Sequence, residues 1–124
     1  MSMRIRVKRV YELSDPSDGR RYLVDRLWPR GITRAGASVD AWLKELGPSH
    51  QLRRWFGHEP ARWLAFKRRY FKELENAREV WEPLVVEARR RPVTLLFSAR
   101  DERHNQAVAL AEFLRRRLSR TKRK

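Results

Sequence analysis

Residues 93–98 read Val-Thr-Leu-Leu-Phe-Ser, an apolar run that follows Pro92 and ends in polar sequence. A short run of this kind, without polar alternation, is typical of a strand that is covered on both faces. The stretch therefore predicts the central strand of a small sheet.

Two further strands are predicted nearer the N-terminus. Residues 4–8 alternate cations with aliphatic side chains, as a strand with one buried face does. Residues 22–28 are largely apolar until an Asp-Arg pair interrupts them, and Pro29 stops the strand because proline cannot donate to a ladder. Residues 15–19, Asp-Pro-Ser-Asp-Gly, predict the intervening turn, and a loop to about residue 38 follows the second strand.

Five helical segments are predicted from apolar periodicity and from capping residues. Gly47-Pro48 ends the first, Ser49 caps the second and Asp101 caps the last. Pro83 suits the fourth only if it lies in the first turn of that helix. The segments cover residues 40–46, 49–56, 60–74, 80–91 and 101–118.

These elements predict an α/β fold: a small, three-layer-like single domain with a short, mostly parallel sheet and about five helices. A length of 124 residues suits one domain, which we place at residues 1–118. Residues 119–124 are predicted to form a basic, disordered tail.

The composition excludes several classes of protein. Hydrophobic residues make up 41% of the chain, which is too much for a disordered polypeptide. The chain has no cysteine, so it has no disulfide scaffold, thiolate zinc site or cysteine nucleophile. It has no run of 18 apolar residues and its charged start does not resemble a secretory signal, so we expect no membrane association and a cytoplasmic location.

The charge is strongly positive. Thirty Lys and Arg face 15 Asp and Glu, for a net charge of +15, and 24 of the cations are arginine. Such a chain attracts polyanions, and arginine adds bidentate phosphate recognition. The alternative is that the arginine content reflects genome composition or a hot habitat, because charge indicates association rather than a specific function.

Candidate site residues lie at or just past the ends of two of the predicted strands. Ligands of parallel α/β folds collect beyond the carboxyl ends of the strands, so two clusters there should meet if the strands are neighbours. The free N–H groups at the start of the last helix would favour an anion. The first cluster is Asp25, Arg26, Trp28 and Arg30, and the second is Ser98, Arg100, Asp101, His104 and Asn105.

Each candidate has a functional and a structural interpretation. Arg30 is the strongest candidate for binding, because a Pro-Arg-Gly loop fixes the backbone and leaves a long cation without a partner nearby in sequence. Asp25 and His104 are candidates for acid or base catalysis, whereas ion pairing of Asp25 and surface exposure of His104 are the structural alternatives. Trp28 is a core residue or lid in the structural interpretation. The predicted ligand-binding residues are Arg26, Trp28, Arg30, His58, Lys67, Arg100 and Asn105.

A third cluster mixes basic and aromatic residues. Such residues can stack bases and neutralise phosphates, although helical spacing also explains most of the rings as core. The cluster comprises Arg53, Arg54, Trp55, His58, Lys67 and Arg68. No phosphate loop, dinucleotide fingerprint or paired metal-ligand histidines are present, so we expect no cofactor and no metal.

Several strings of the sequence resemble the YeaO-like branch of the DUF488 family. Their order and spacing agree from about residue 5 to residue 114, and the longest is Leu-Val-Asp-Arg-Leu-Trp-Pro-Arg-Gly at residues 23–31. The resemblance implies a single α/β domain and supplies no catalytic residues or cofactor. The other strings are residues 42–49, 52–58, 66–70 and 93–105.

Three hypotheses for function follow. The leading one is binding of an anionic, phosphate-bearing ligand, a nucleic acid or nucleotide, in an Arg/Trp-lined cleft at the strand carboxyl ends. The alternative is a small cofactor-independent enzyme acting on an anionic metabolite. The third is a module that binds an acidic protein. The sequence leaves the oligomeric state open.

Overall fold

The computed structural model describes residues 4–122, with side chains to residue 120. Within this range the chain forms four strands and four α-helices. The strands are β1 (Ile5–Arg9), β2 (Arg20–Leu23), β3 (Ala41–Trp42) and β4 (Val93–Phe97). The helices are α1 (His50–Phe56), α2 (Trp63–Glu75), α3 (Arg78–Ala88) and α4 (Gln106–Lys122).

The four strands form one parallel sheet in the order β1-β4-β2-β3. All five residues of β4 are buried, and Leu95 pairs with Val7 of β1 on one side and with Tyr22 of β2 on the other. The prediction of an α/β fold with residues 93–98 at the centre of a parallel sheet is therefore confirmed.

The predicted helix at residues 40–46 is wrong. Ala41 pairs with Tyr22 as part of β3, and Lys44–Leu46 is a single 3₁₀ turn. Gly47 has an extended conformation (φ −72°, ψ 153°) rather than the left-handed one of a C-cap glycine. Pairing with β2 therefore overrides the local helical signal, and the described chain has four α-helices rather than about five.

The second strand lies earlier than predicted. β2 ends at Leu23, and the Val24 N–H still donates to Leu96 O at 3.1 Å before the chain leaves the sheet. Arg21 belongs to the strand although it is charged, because its guanidinium donates to Asp18 Oδ2 at 2.7 Å inside the protein. Asp25 and the residues after it thus lie beyond the strand, at the carboxyl edge of the sheet.

The helix ends agree with the sequence at α1 and differ at α3 and α4. Ser49 Oγ caps α1 by accepting from Leu52 N, and Gly57 ends it in the left-handed conformation. Pro83 lies inside α3, which begins at Arg78, instead of in its first turn.

The start of the last helix is displaced as well. Asp101 Oδ1 accepts from the backbone N–H groups of Arg103 and His104, so it closes a turn and does not cap the helix. Asn105 Oδ1 accepts from Val108 N at 3.0 Å and caps α4 instead. The helix continues to Lys122, into the stretch predicted as a tail, and residues 123 and 124 lie outside the described residues.

The two faces of the sheet are covered differently. All four helices bury side chains in one core, which also contains Ile5 and Leu95. A second core on the other face joins Leu96 to Ala37 and Val39 of the loop between β2 and β3, which we call the cover loop (residues 24–40). The three-layer-like expectation therefore holds only in part, because the third layer of the described chain is a loop and not a helix.

A buried ion pair fastens the cover loop to the sheet. The Arg21 guanidinium pairs with Asp18 and also donates to Ala37 O at 2.8 Å and Ser38 O at 3.1 Å. Burial raises the pKa of Asp18, but hydrogen bonds from Lys8 and Arg21 outweigh burial and hold the pKa below its usual value. The position of the cover loop thus depends on the buried Asp18–Arg21 ion pair.

Across residues 4–122, no helix combines the length and apolar character that a membrane crossing requires.

Candidate functional site

The ends of β2 and β4 bring the two predicted clusters together. Asp25 follows β2, and its Oδ2 accepts from Ser98 N at 3.1 Å and from Ser98 Oγ at 2.6 Å just after β4. Its Oδ1 accepts from the side-chain amide of Gln106, the first residue of α4. One carboxylate therefore links two strand ends and a helix start.

Asp25 is a structural residue in this arrangement. Burial raises the pKa of its carboxyl group, and the hydrogen bonds from Ser98 and Gln106 act in the opposite direction. Both oxygens are engaged, so proton transfer by Asp25 would first require these bonds to break. The contacts of Asp25 fit its structural interpretation, with neutral donors in place of the expected ion pair, and catalysis by Asp25 stays a prediction.

Two adjoining clefts open beside this carboxylate. They share Pro48, Arg53, His58 and Gln106, so they are continuous. The larger, of about 510 Å³, we call the histidine cleft; the rest of its lining is His50, Arg54, Phe56, Phe66, His104 and Asn105. The smaller, of about 330 Å³, we call the arginine cleft; the rest of its lining is Asp25, Arg26, Leu27, Trp28, Pro29, Arg30, Ser98 and Ala99.

The charge of these linings is strongly one-sided. Four arginines line the clefts, against a single carboxylate, that of Asp25. Within residues 4–122, no carboxylate forms a salt bridge with Arg30, Arg53 or Arg54. Arg30 and Arg54 are available to a negatively charged ligand, whereas Arg53 also contacts His50 Nδ1 at 3.3 Å and attracts the Asp25 carboxylate.

Arg26 and Trp28 line the arginine cleft and also donate hydrogen bonds to backbone carbonyls that stabilise its walls. The Arg26 guanidinium donates to Gly47 O at 2.6 Å and to Pro48 O at 2.9 Å, so it ties the cover loop to the segment before α1. Trp28 Nε1 donates to Ile32 O at 2.8 Å, and its ring packs edge-on against Trp42 with centroids 5.3 Å apart. Both side chains shape the cleft from partly buried positions.

His58 occupies the junction of the two clefts. Its backbone φ is +59°, directly after Gly57 at +53°, and a positive φ is uncommon for a residue with a side chain. The turn after α1 therefore fixes the place of the imidazole where the clefts meet.

His104 lies on the wall of the histidine cleft. Its Nδ1 is 2.9 Å from Asp101 Oδ2, and its ring packs edge-on against Trp63 at 5.3 Å. The hydrogen bond from His104, with those from two backbone N–H groups, lowers the pKa of Asp101 to about 2. Asn105 lines the same cleft, but its amide group already bonds Val108 N and Asp101 O.

Two predicted binding residues lie away from both linings. The Lys67 ammonium is 2.9 Å from Glu112 Oε1 and lies over the Trp63 ring, because α4 packs beside α2 at this point. Arg100 is exposed after β4 and lines neither cleft.

Sequence reasoning missed part of the site. Pro48, His50 and Gln106 were not predicted as site residues, and Arg53 and Arg54 were noted only in the basic-aromatic cluster. Residues 50, 53 and 54 have the i, i+3, i+4 spacing of one helix face, and this signal could have placed them together.

The three histidines line one cleft, although they are far apart in sequence. They do not form a metal site: in the part of the chain that is described, no group of three or more histidine and carboxylate side chains is placed to hold a metal ion.

The fold and site define a class: a small, basic protein with a parallel α/β sheet and an arginine-lined cleft beyond the carboxyl ends of its strands. Residues 4–124 match the family model described as "Inactive DUF488-N3 subclade", and the chain belongs to this family. The resemblance to DUF488 proteins of the YeaO-like branch is therefore confirmed.

Curated relatives from distant bacteria cover nearly the whole chain. "Uncharacterized protein YeaO" of Escherichia coli K12 is 42% identical over 113 residues, which is 91% of this chain and 98% of that protein. "Uncharacterized protein Rv3073c" of Mycobacterium tuberculosis H37Rv is 41% identical over 111 residues, 90% of this chain and 93% of that protein. No solved structure matches the chain.

Proposed function

We propose that the protein binds an anionic, phosphate-bearing ligand, a nucleotide or a nucleic acid, in the two adjoining clefts. The observation that carries the proposal is the set of three arginines, Arg30, Arg53 and Arg54, that line the clefts and form no salt bridge in the described chain. Guanidinium groups bind phosphate oxygens in a bidentate fashion, which distinguishes them from lysine.

The surroundings favour an anion further. The one carboxylate in the lining, Asp25, is buried, accepts three hydrogen bonds from Ser98 and Gln106 and forms no salt bridge with the cleft arginines, although its charge is attracted to Arg53. The net charge of +15 attracts polyanions from a distance. We place this binding activity in the cytoplasm, as the sequence predicts.

A second candidate is an enzyme that acts on an anionic metabolite. It is favoured by the Asp101–His104 pair, because a carboxylate that orients an imidazole is a common arrangement for proton transfer. Two observations weigh against it: the oxygens of Asp25 are engaged, and the family model is described as an inactive subclade. Binding is therefore the better-supported function.

The test is a titration of fluorescently labelled RNA, DNA and a nucleotide at two salt concentrations. We expect Arg30→Ala to weaken binding at least fivefold and to reduce the salt dependence, because each lost phosphate contact lowers the slope by about 0.7 to 0.9. Arg90→Ala is the matched control: Arg90 is exposed in the turn after α3 and lines neither cleft.

Equal effects of the two substitutions would contradict the proposal. So would a chain that loses binding only when residues 119–124 are removed, since the basic C-terminus alone would then be responsible.

A further inference from the structure

We infer that the ligand is a single nucleotide whose base lies in the histidine cleft and whose phosphate lies in the arginine cleft. The inference rests on the proposed function and adds the class of ligand and its orientation. It is carried by the different chemistry of the two linings and by their shared border.

The histidine cleft has the more aromatic lining of the two, and Arg53 and Arg54 line it as well. Phe56 and Phe66 lie at the base of the cleft as nearly buried core rings, 6% and 2% exposed and stacked on each other with centroids 4.5 Å apart, so stacking on a base falls to the more exposed imidazoles. The rings of His58 and His104 stand beside them, and Pro48 adds an apolar side. Flat aromatic and imidazole rings bind a nucleobase by stacking, because every base has a π-face.

The arginine cleft has the lining of a phosphate site. Arg30 brings an exposed guanidinium that no described carboxylate neutralises, and Arg53 reaches the same cleft from α1. This cleft has fewer aromatic walls than its neighbour, and Trp28 is its only ring besides His58 among the described residues.

The shared border of the two clefts determines where the base, the sugar and the phosphate of the ligand lie. Arg53 and His58 line both clefts, so a ligand that fills both must pass between them. A nucleotide has this layout: a flat apolar ring at one end, an anion at the other and a sugar between. At about 510 Å³, the histidine cleft is within the usual range for small-molecule sites and is the larger compartment, as the base and sugar require.

The experiment is isothermal titration calorimetry with adenosine 5′-monophosphate, ribose 5-phosphate and inorganic phosphate at one salt concentration. We expect the nucleotide to bind roughly tenfold or more tightly than ribose 5-phosphate, since stacking on aromatic side chains contributes this much per base. Inorganic phosphate should bind most weakly.

Variants separate the two compartments. His104→Ala should lower the affinity for adenosine 5′-monophosphate toward that for ribose 5-phosphate, and should leave ribose 5-phosphate within about twofold, because His104 lines only the histidine cleft. His58→Asn should weaken both ligands, because His58 lines both clefts; asparagine is chosen because it tolerates the positive φ there. Arg30→Ala should weaken both ligands by a similar factor, and Arg90→Ala should change neither.

Failure of the inference is distinguishable from failure of the proposed function. Equal affinities for adenosine 5′-monophosphate and ribose 5-phosphate would overturn the base site and leave phosphate binding intact. Tight binding of single-stranded RNA with none of the free nucleotide would also overturn it. The absence of binding by any phosphate-bearing ligand would overturn both.

Discussion

Replacing Asp18 by asparagine removes the negative charge from a buried cluster of cations, and we expect it to destabilise the protein by about 3–5 kcal/mol. Asp18 is 1% exposed and Arg21 is 3% exposed, with 2.7 Å between the carboxylate and the guanidinium. Asparagine keeps the size of the side chain but leaves Arg21 charged in the interior without its counterion. The Lys8 ammonium lies 3.0 Å from Asp18 Oδ2, but 20% of its side chain is exposed to water, so loss of this second ion pair contributes less to the destabilisation.

The loss would be a large share of the stability of a typical domain, which is about 5–15 kcal/mol. Urea-induced unfolding followed by tryptophan fluorescence measures it, and a slope of about 1–3 kcal/mol per molar predicts a midpoint shift of one molar or more. The double variant Asp18→Asn with Arg21→Met should recover part of the loss, because it removes both charges.

Acid titration provides a second readout. The pKa of Asp18 is lowered in the folded protein, so its contribution is present above the ordinary pKa of an aspartate and is lost as the pH falls through the folded value. The asparagine variant should lack this part of the acid dependence. A loss below about 1 kcal/mol at neutral pH, or an unchanged acid profile, would refute the assigned role of the pair.

Three further predictions concern the site and its supports. Burial raises the pKa of Asp25 in the folded protein, so the carboxyl group destabilises the folded state increasingly as the pH rises above its ordinary pKa. Urea unfolding at pH 4 and pH 7 should therefore show that the free energy of unfolding of the wild type, relative to that of Asp25→Asn, is higher at pH 4. Ser49→Ala removes the cap of α1 and a 2.7 Å hydrogen bond to Glu73, and should lower the free energy of unfolding by about 1–2 kcal/mol, as measured with urea. Pro83→Ala restores a backbone donor inside α3 at an exposed position, and calorimetry should show a higher Tm, equivalent to about 2 kcal/mol.

Local sequence signals predicted an element correctly where its packing in the fold favours the same structure. Val93–Phe97 is apolar throughout because both faces of β4 are covered, so its pattern alone places it at the centre. Ser49 and Gly57 bound α1 by their own conformational preferences. The meeting of the Asp25 and Ser98 segments followed from parallel topology.

Long-range pairing decided the elements that the sequence did not predict. Ala41 and Trp42 are a strand only because β2, about 20 residues earlier, offers them a partner. The cations of the site were predicted in part: Arg30 lines a cleft, whereas Lys67 pairs with Glu112 of a distant helix. A partner many residues away leaves no local trace in composition or periodicity.

The cover loop contributes both to the second hydrophobic core and to the wall of the arginine cleft. Ala37 and Val39 seal one side of the sheet, while Trp28 and Arg30 of the same loop form a wall of the arginine cleft. A protease that nicks this segment would expose the sheet and dismantle the wall in one event. By the same linkage, a bound phosphate should slow amide hydrogen exchange across the whole loop, including the residues that never touch it.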